Sequence, residues 1–219
     1  MRGLFITVEG PEGAGKTTQT NLLGEWLQSQ GADVLYTREP GDGCIGAQIR
    51  QIILNPNNCA LTAKAEAILY AADRAQHVEQ VLLPALAAGK VVLCDRYVDS
   101  HIAYQGYGRG IDLAFLKDLN QMATGGLMPA LTLLLRLSPE VGLERVIKHR
   151  DKDRIELEEI EFHKRLSAGY DAIAKANPKR FYVVDAAKPI IEVREQIISA
   201  VGGLLLQAGY EVNLNMEED

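Results

Sequence analysis

Residues 10–17 read Gly10-Pro11-Glu12-Gly13-Ala14-Gly15-Lys16-Thr17, a complete G-x-x-x-x-G-K-[ST] pattern. Its surroundings narrow the fold. The upstream run Leu4-Phe5-Ile6-Thr7-Val8 is apolar and β-branched, as a buried strand requires. Residues 18–30 downstream carry Leu22, Leu23, Trp26 and Leu27 at helical spacing. Glycines at such a junction let the backbone close around a phosphate chain, so that successive N–H groups and the helix N-terminus point at it. Lys16 is then expected to reach the β- and γ-phosphates, and the Thr17 hydroxyl to ligate Mg²⁺, with Thr18 beside it in the first turn. A chance Gly-rich turn is the competing reading, and the ordered strand, loop, Lys-Thr and helix weigh against it. The segment implies a site for a nucleoside triphosphate.

The chain has 219 residues, enough for one α/β domain with a substantial core or at most two small ones. A net charge of −6 argues against nonspecific binding to nucleic acid or to an anionic membrane. An acidic protein that handles polyanionic nucleotides must gather its cations locally, so individual arginines carry information. Cys44, Cys59 and Cys94 are too few and too scattered for a disulfide framework and suggest a reducing compartment. Met1-Arg2-Gly3 leads straight into the first strand, and no apolar run approaches membrane-spanning length, so a cytoplasmic location is expected. His77, His101, His149 and His163 show no metal-ligand spacing, which leaves surface or packing roles as the default.

Further apolar strand-like runs occur at 33–36, 91–94, 131–135 and 181–184. Amphipathic helical patterns lie between them at 62–88, 113–122, 139–148, 158–176 and 190–207. Short continuous strands alternating with helices predict an α/β fold, a parallel sheet covered on both faces. Two stretches break the pattern: 95–110, rich in Tyr, Gly and Arg, and the densely charged 149–156. One domain is expected over 1–212, followed by a polar, acidic tail at 213–219.

Asp95 closes the strand Val91-Val92-Leu93-Cys94, where a carboxylate can organise Mg²⁺ or its waters. Arg96 follows, placed to bridge two phosphoryl groups with its fork of donors. In isolation the pair would read as a surface ion pair. The charged stretch raises a similar choice between a solvated face and a lid over 147–157 that brings Arg150, Lys152 and Arg154 over the γ-phosphate. Because position 13 is Gly, the loop itself offers only Lys16, which favours the lid.

Over nearly its whole length the chain resembles the bacterial thymidylate kinases. The resemblance rests on the P-loop, Thr37-Arg38-Glu39-Pro40-Gly41, the helix segment from Tyr70 to Arg74, Asp95-Arg96-Tyr97-Val98-Asp99-Ser100, Ala103-Tyr104-Gln105-Gly106, and Asp153-Arg154-Ile155-Glu156. It implies a five-stranded parallel sheet of the P-loop kinase type, a homodimer, and transfer from ATP to dTMP with Mg²⁺. By position, Tyr70 matches an aromatic, usually Phe, stacked on thymine, and Arg74 an arginine bound to the base. Ser100 and Gln105 match residues reading the base edge, and Tyr104 the residue beneath the sugar. Glu12 matches the acid near the acceptor 3′-hydroxyl. Arg38 and Arg96 match arginines on the acceptor phosphate, with Glu39 beside them. Arg150 and Arg154 resemble lid arginines of the bacterial subclass, whose P-loop carries Gly where Gly13 stands. Tyr70 and Arg74 also fit a core aromatic and a solvated arginine. The departures are Tyr70 for Phe, Asp42-Gly43 for Gly-Thr or Gly-Ser, Ala130 for Asp, and Arg136 for Asp. Rivals are another nucleoside or nucleotide kinase on this scaffold, or a P-loop switch that hydrolyses nucleotide to regulate a partner.

Overall fold

The computed structural model describes residues 3–147 and 153–207. Strands β1 (Leu4–Glu9), β2 (Val34–Arg38), β3 (Val91–Asp95), β4 (Leu131–Arg136) and β5 (Phe181–Asp185) form one parallel sheet in the order β2-β3-β1-β4-β5. The chain steps outward from β1 to β2, returns to β3 beside β1, and then crosses to β4 on the other side. Strand order reverses at β1, and such a reversal opens a crevice beyond the carboxyl ends of the strands. The P-loop follows β1, Arg38-Glu39 closes β2, and Asp95-Arg96 closes β3, so all three motifs meet at that crevice.

The two-residue period of β1 separates its jobs. Leu4, Ile6 and Val8 pack with Leu23, Trp26 and Leu27 of α1 (Lys16–Ser29) and with Val193, Ile197 and Val201 of α9 (Ile190–Gln207). Phe5 turns to the opposite face and packs with Val92, Tyr97 and Val98. Thr7 and Glu9 share that face, and Thr7 Oγ1 lies 2.9 Å from Thr132 Oγ1 on β4.

The predicted helix at 62–88 is three pieces: α3 (Ala63–His77), a π-helical turn over Val78–Leu82, and α4 (Leu83–Ala87). Pro84 lacks the N–H an α-helix would need, and the wider turn before it puts Pro84 in the first turn of α4, where none is required. Helix α2 (Gly43–Leu54) was not apparent from its composition, because Gly43 and Gly46 weaken its first turn. The stretch 95–110 is also helical: α5 (Val98–His101) runs into a π-helical segment, Ile102–Gly108. Its glycines mark close packing, since a Cβ on Gly108 would lie 2.5 Å from the Phe162 ring. Helices α6 (Leu113–Thr124), α7 (Pro139–Ile147) and α8 (Ile160–Ala176) complete the layers. Residues 148–152, with Arg150 and Lys152, and the predicted tail at 213–219 lie outside the described residues. No helix among the described residues is long and apolar enough to cross a membrane.

Candidate active site

A cavity of about 910 Å³ runs from the P-loop to α3 and α5, a volume suited to bound small molecules. Lys16 curls over its own loop, its Nζ donating to the carbonyls of Gly10 (3.1 Å) and Pro11 (2.7 Å). Burial, with the nearby Arg96 cation, lowers its pKa to about 8. Gly15 starts α1 with φ 83, and no side chain caps it, so the first-turn N–H groups are left for a ligand. Gly13 has a packing reason to lack a side chain: a Cβ there would stand 2.2 Å from the Gly142 carbonyl oxygen of α7.

Arg96 is the one described non-glycine residue with positive φ, at 71. Its Nη1 donates to the Gly10 carbonyl (3.0 Å), Ser100 Oγ (3.3 Å) and the Tyr170 hydroxyl (3.3 Å), and its Nη2 to Glu12 Oε1 (3.3 Å). The guanidinium also lies over the Tyr104 ring, 4.9 Å from its centroid. Burial alone would raise the Glu12 pKa, but His163, Arg96, Lys16 and the Tyr104 hydroxyl together hold it well below the usual carboxylate range. Beneath Arg96, burial and the Asp99 carboxylate push Glu9 up to about 7, against the opposing pull of Ser100, Arg96 and the Tyr97 N–H.

At the far end Tyr70 and Arg74 share a face of α3, one turn apart, and both line the cavity. Arg74 is only 1% exposed. It donates from Nε to Glu39 (2.7 Å), from Nη1 to Asn120 (2.7 Å) and from Nη2 to the Tyr97 carbonyl (3.2 Å), and Nη1 lies 3.1 Å from His101 Nδ1. Burial and the Arg74 charge pull His101 down to about 3, so its ring is neutral. Asp95 Oδ2 accepts from Thr17 Oγ1 at 3.3 Å, while its buried Oδ1 has no hydrogen-bond partner among the described residues.

The family model described as thymidylate kinase matches residues 8–197. The chain belongs to the thymidylate kinase family. A thymidylate kinase of Pelotomaculum thermopropionicum is 49% identical over 208 residues, covering 91% of this chain and 96% of that protein. One from Synechococcus sp. is 51% identical over 205 residues, covering 94% and 98%. The crystal structure of an Ehrlichia chaffeensis thymidylate kinase superposes with a TM-score of 0.75 at 32% identity, covering 92% of this chain and 99% of that one.

Set against the thymidylate kinase pattern, several predicted residues have other commitments in this structure. Ser100 Oγ is engaged by Glu9, Tyr170 and Arg96. Gln105 Nε2 donates to Glu66 Oε1 at 2.8 Å. Glu39 is buried and accepts from both Arg74 and His77. Arg154 is not brought to the cavity: its Nε donates to the Ile53 carbonyl (2.7 Å) and its Nη2 to Glu66. Arg38 is exposed and lines a smaller adjoining cavity of about 430 Å³, whose wall includes Arg50 and Arg96. His77, His101 and His163 are buried against site residues rather than on the surface. Two cations that no sequence motif marks also line the cavities. Arg50 donates to the Pro40 carbonyl (2.8 Å) and lines both cavities; burial and the nearby Arg38 charge lower its pKa. Arg145 of α7 reaches the Gly13 carbonyl at 3.3 Å and lines the main cavity. Both sit in ordinary amphipathic helices, where nothing local marks a cation as functional.

Proposed function

We propose that the P-loop end of the cavity is the donor subsite and the α3–α5 end the acceptor subsite. Between them ATP passes its γ-phosphoryl group to dTMP, giving ADP and dTDP. One observation carries this placement: Lys16 Nζ and Arg96 Nη1 converge on the same Gly10 carbonyl at 3.1 and 3.0 Å. A phosphoryl group in flight between two nucleotides needs two cations at one point. The acceptor monoester has a second pKa of about 6 and is mostly dianionic at neutral pH, so no strong base is required.

The assignments keep the roles that the family resemblance implies, adjusted where a side chain has another partner. Residues 10–18 hold the ATP phosphates, and Arg145 adds a cation at Gly13. Tyr70 stacks on the base, Arg74 offers its remaining Nη2 proton, and Gln105 turns its amide carbonyl to the edge. Tyr104 lies beneath the sugar, and Glu12 accepts from the 3′-hydroxyl. Arg38, Arg50 and Arg96 hold the acceptor phosphate. Glu39 and Ser100 serve through Arg74 and Arg96, Arg154 through Glu66, and Arg150 remains a candidate transition-state cation. Thr17 Oγ1 and the unpartnered Asp95 Oδ1 are hard oxygen donors that fit Mg²⁺, Asp95 directly or through water. That ion would neutralise charge on the β- and γ-phosphates when bound. A homodimer is proposed through α2 and α3, two helices that pack against each other and leave Ile45, Ile52 and Ile68 exposed. Three free cysteines suit a reducing cytoplasm, and no nucleic acid or membrane partner is proposed.

Product analysis with ATP and a panel of dTMP, dUMP, dCMP, dGMP and thymidine tests the reading. Equal amounts of ADP and dTDP are expected, with dTMP the preferred acceptor. ADP release at the same rate without any acceptor would mark a switch, and preference for another panel member a different kinase.

A further inference from the structure

Glu9 closes β1 with its carboxylate at 0% exposure, and its four hydrogen bonds all come from donors. Oε1 accepts from the backbone N–H groups of Tyr97 (2.8 Å) and Ser100 (3.3 Å). Oε2 accepts from Ser100 Oγ and from the Tyr170 hydroxyl (3.1 Å). Those two hydroxyls are the ones that Arg96 Nη1 approaches, each at 3.3 Å. A guanidinium only donates, so the hydroxyl protons point away from Arg96. Ser100 and Tyr170 lie 2.8 Å apart, and the Tyr170 proton runs to Glu9 either directly or by way of Ser100, whose own proton Glu9 accepts. The neighbouring carboxylate, Asp99, is matched separately by a two-pronged contact from Arg180 at 2.6 and 2.8 Å. Glu12 pairs with the guanidinium directly, and Glu9 is the second carboxyl group tied to it, through two hydroxyls.

The backbone needs the same support. Arg96 stands at φ 71, a conformation a residue with a side chain seldom adopts unless its surroundings enforce it. The turn is held by Arg96 N–H to the Val8 carbonyl (3.0 Å), Cys94 Sγ–H to the Arg96 carbonyl (3.0 Å), and Tyr97 N–H to Glu9. We propose that Glu9 is a positioning residue for phosphoryl transfer: it fixes the turn that carries Arg96, and through Ser100 and Tyr170 it aims the guanidinium at the P-loop. This rests on the reading of Arg96 as the cation between the two phosphates. It assigns Ser100 to Arg96 rather than to the base.

A double-mutant cycle on the full-length protein separates positioning from mere packing, with kcat and both KM values measured for parent, Glu9→Gln, Arg96→Ala and the pair. Gln keeps the shape but cannot accept from all four donors. Glu9→Gln is expected to lower kcat at least about tenfold in the parent and less than about twofold in the Arg96→Ala background, with the KM for ATP little changed. Equal fold losses in the two backgrounds would overturn the inference alone. A parent-like Arg96→Ala protein would overturn it together with the reading it rests on. Should Glu9→Gln not fold, Tyr170→Phe, which deletes one of the two hydroxyls, enters the same cycle. There a several-fold loss that vanishes without Arg96 supports the inference, and one that persists overturns it.

Discussion

Arg96→Ala lowers kcat by about a thousandfold or more, the scale at which a single arginine acts on a transferring phosphoryl group. KM for ATP and for dTMP change less, because the contact strengthens mainly as charge shifts in the transition state. The fold survives, since Glu12 keeps the Tyr104 hydroxyl and Lys16 nearby and no apolar contact of the sheet is lost. Steady-state rates paired with a thermal melt check both halves. A folded variant that retains kcat within about tenfold of the parent contradicts the account.

Arg74→Ala acts first on stability, costing about 3–5 kcal/mol. The Arg74–Glu39 pair is closed off from water, and truncation leaves the Glu39 carboxylate buried with His77 as its remaining side-chain partner. For a chain of this size that cost lowers Tm by roughly 6–20 °C. Lysine at this position does not restore the loss, because an ammonium cannot reproduce a fork reaching Glu39, Asn120 and the Tyr97 carbonyl together. Denaturant unfolding of both variants supplies the check. A loss below about 1 kcal/mol for Arg74→Ala would mean that the pair is not closed off from water.

The sheet was legible because each strand is a short apolar run closed by a polar residue. Local composition misled where tertiary contacts decide. Gly106 and Gly108 look like loop residues, yet they let a π-helical segment pack against Leu113 and Phe162. Gly13 leaves the loop without a second cation, and it is also the point where α7 touches the loop. The site was legible as a set of residues but less so as a set of contacts. Ser100, Gln105 and Glu39 carry the right chemistry for a ligand, and in the folded chain they bond first to Glu9, Glu66 and Arg74. Such pairings join residues far apart in sequence, and no spacing rule announces them. Glu9 is the clearest case: it reads as the last residue of a strand, and only the fold places it against Tyr97, Ser100 and Tyr170.

The central claim is that one cavity holds both nucleotides with their phosphates meeting between Lys16 and Arg96. Calorimetric titration with adenosine and thymidine joined through their 5′ oxygens by a polyphosphate chain tests it most directly. The account predicts one molecule bound per chain, at least about a hundredfold tighter than dTMP, and displacement by ATP and by dTMP alike. Binding no tighter than dTMP alone, or binding that persists when either nucleotide is saturating, would contradict a shared cavity.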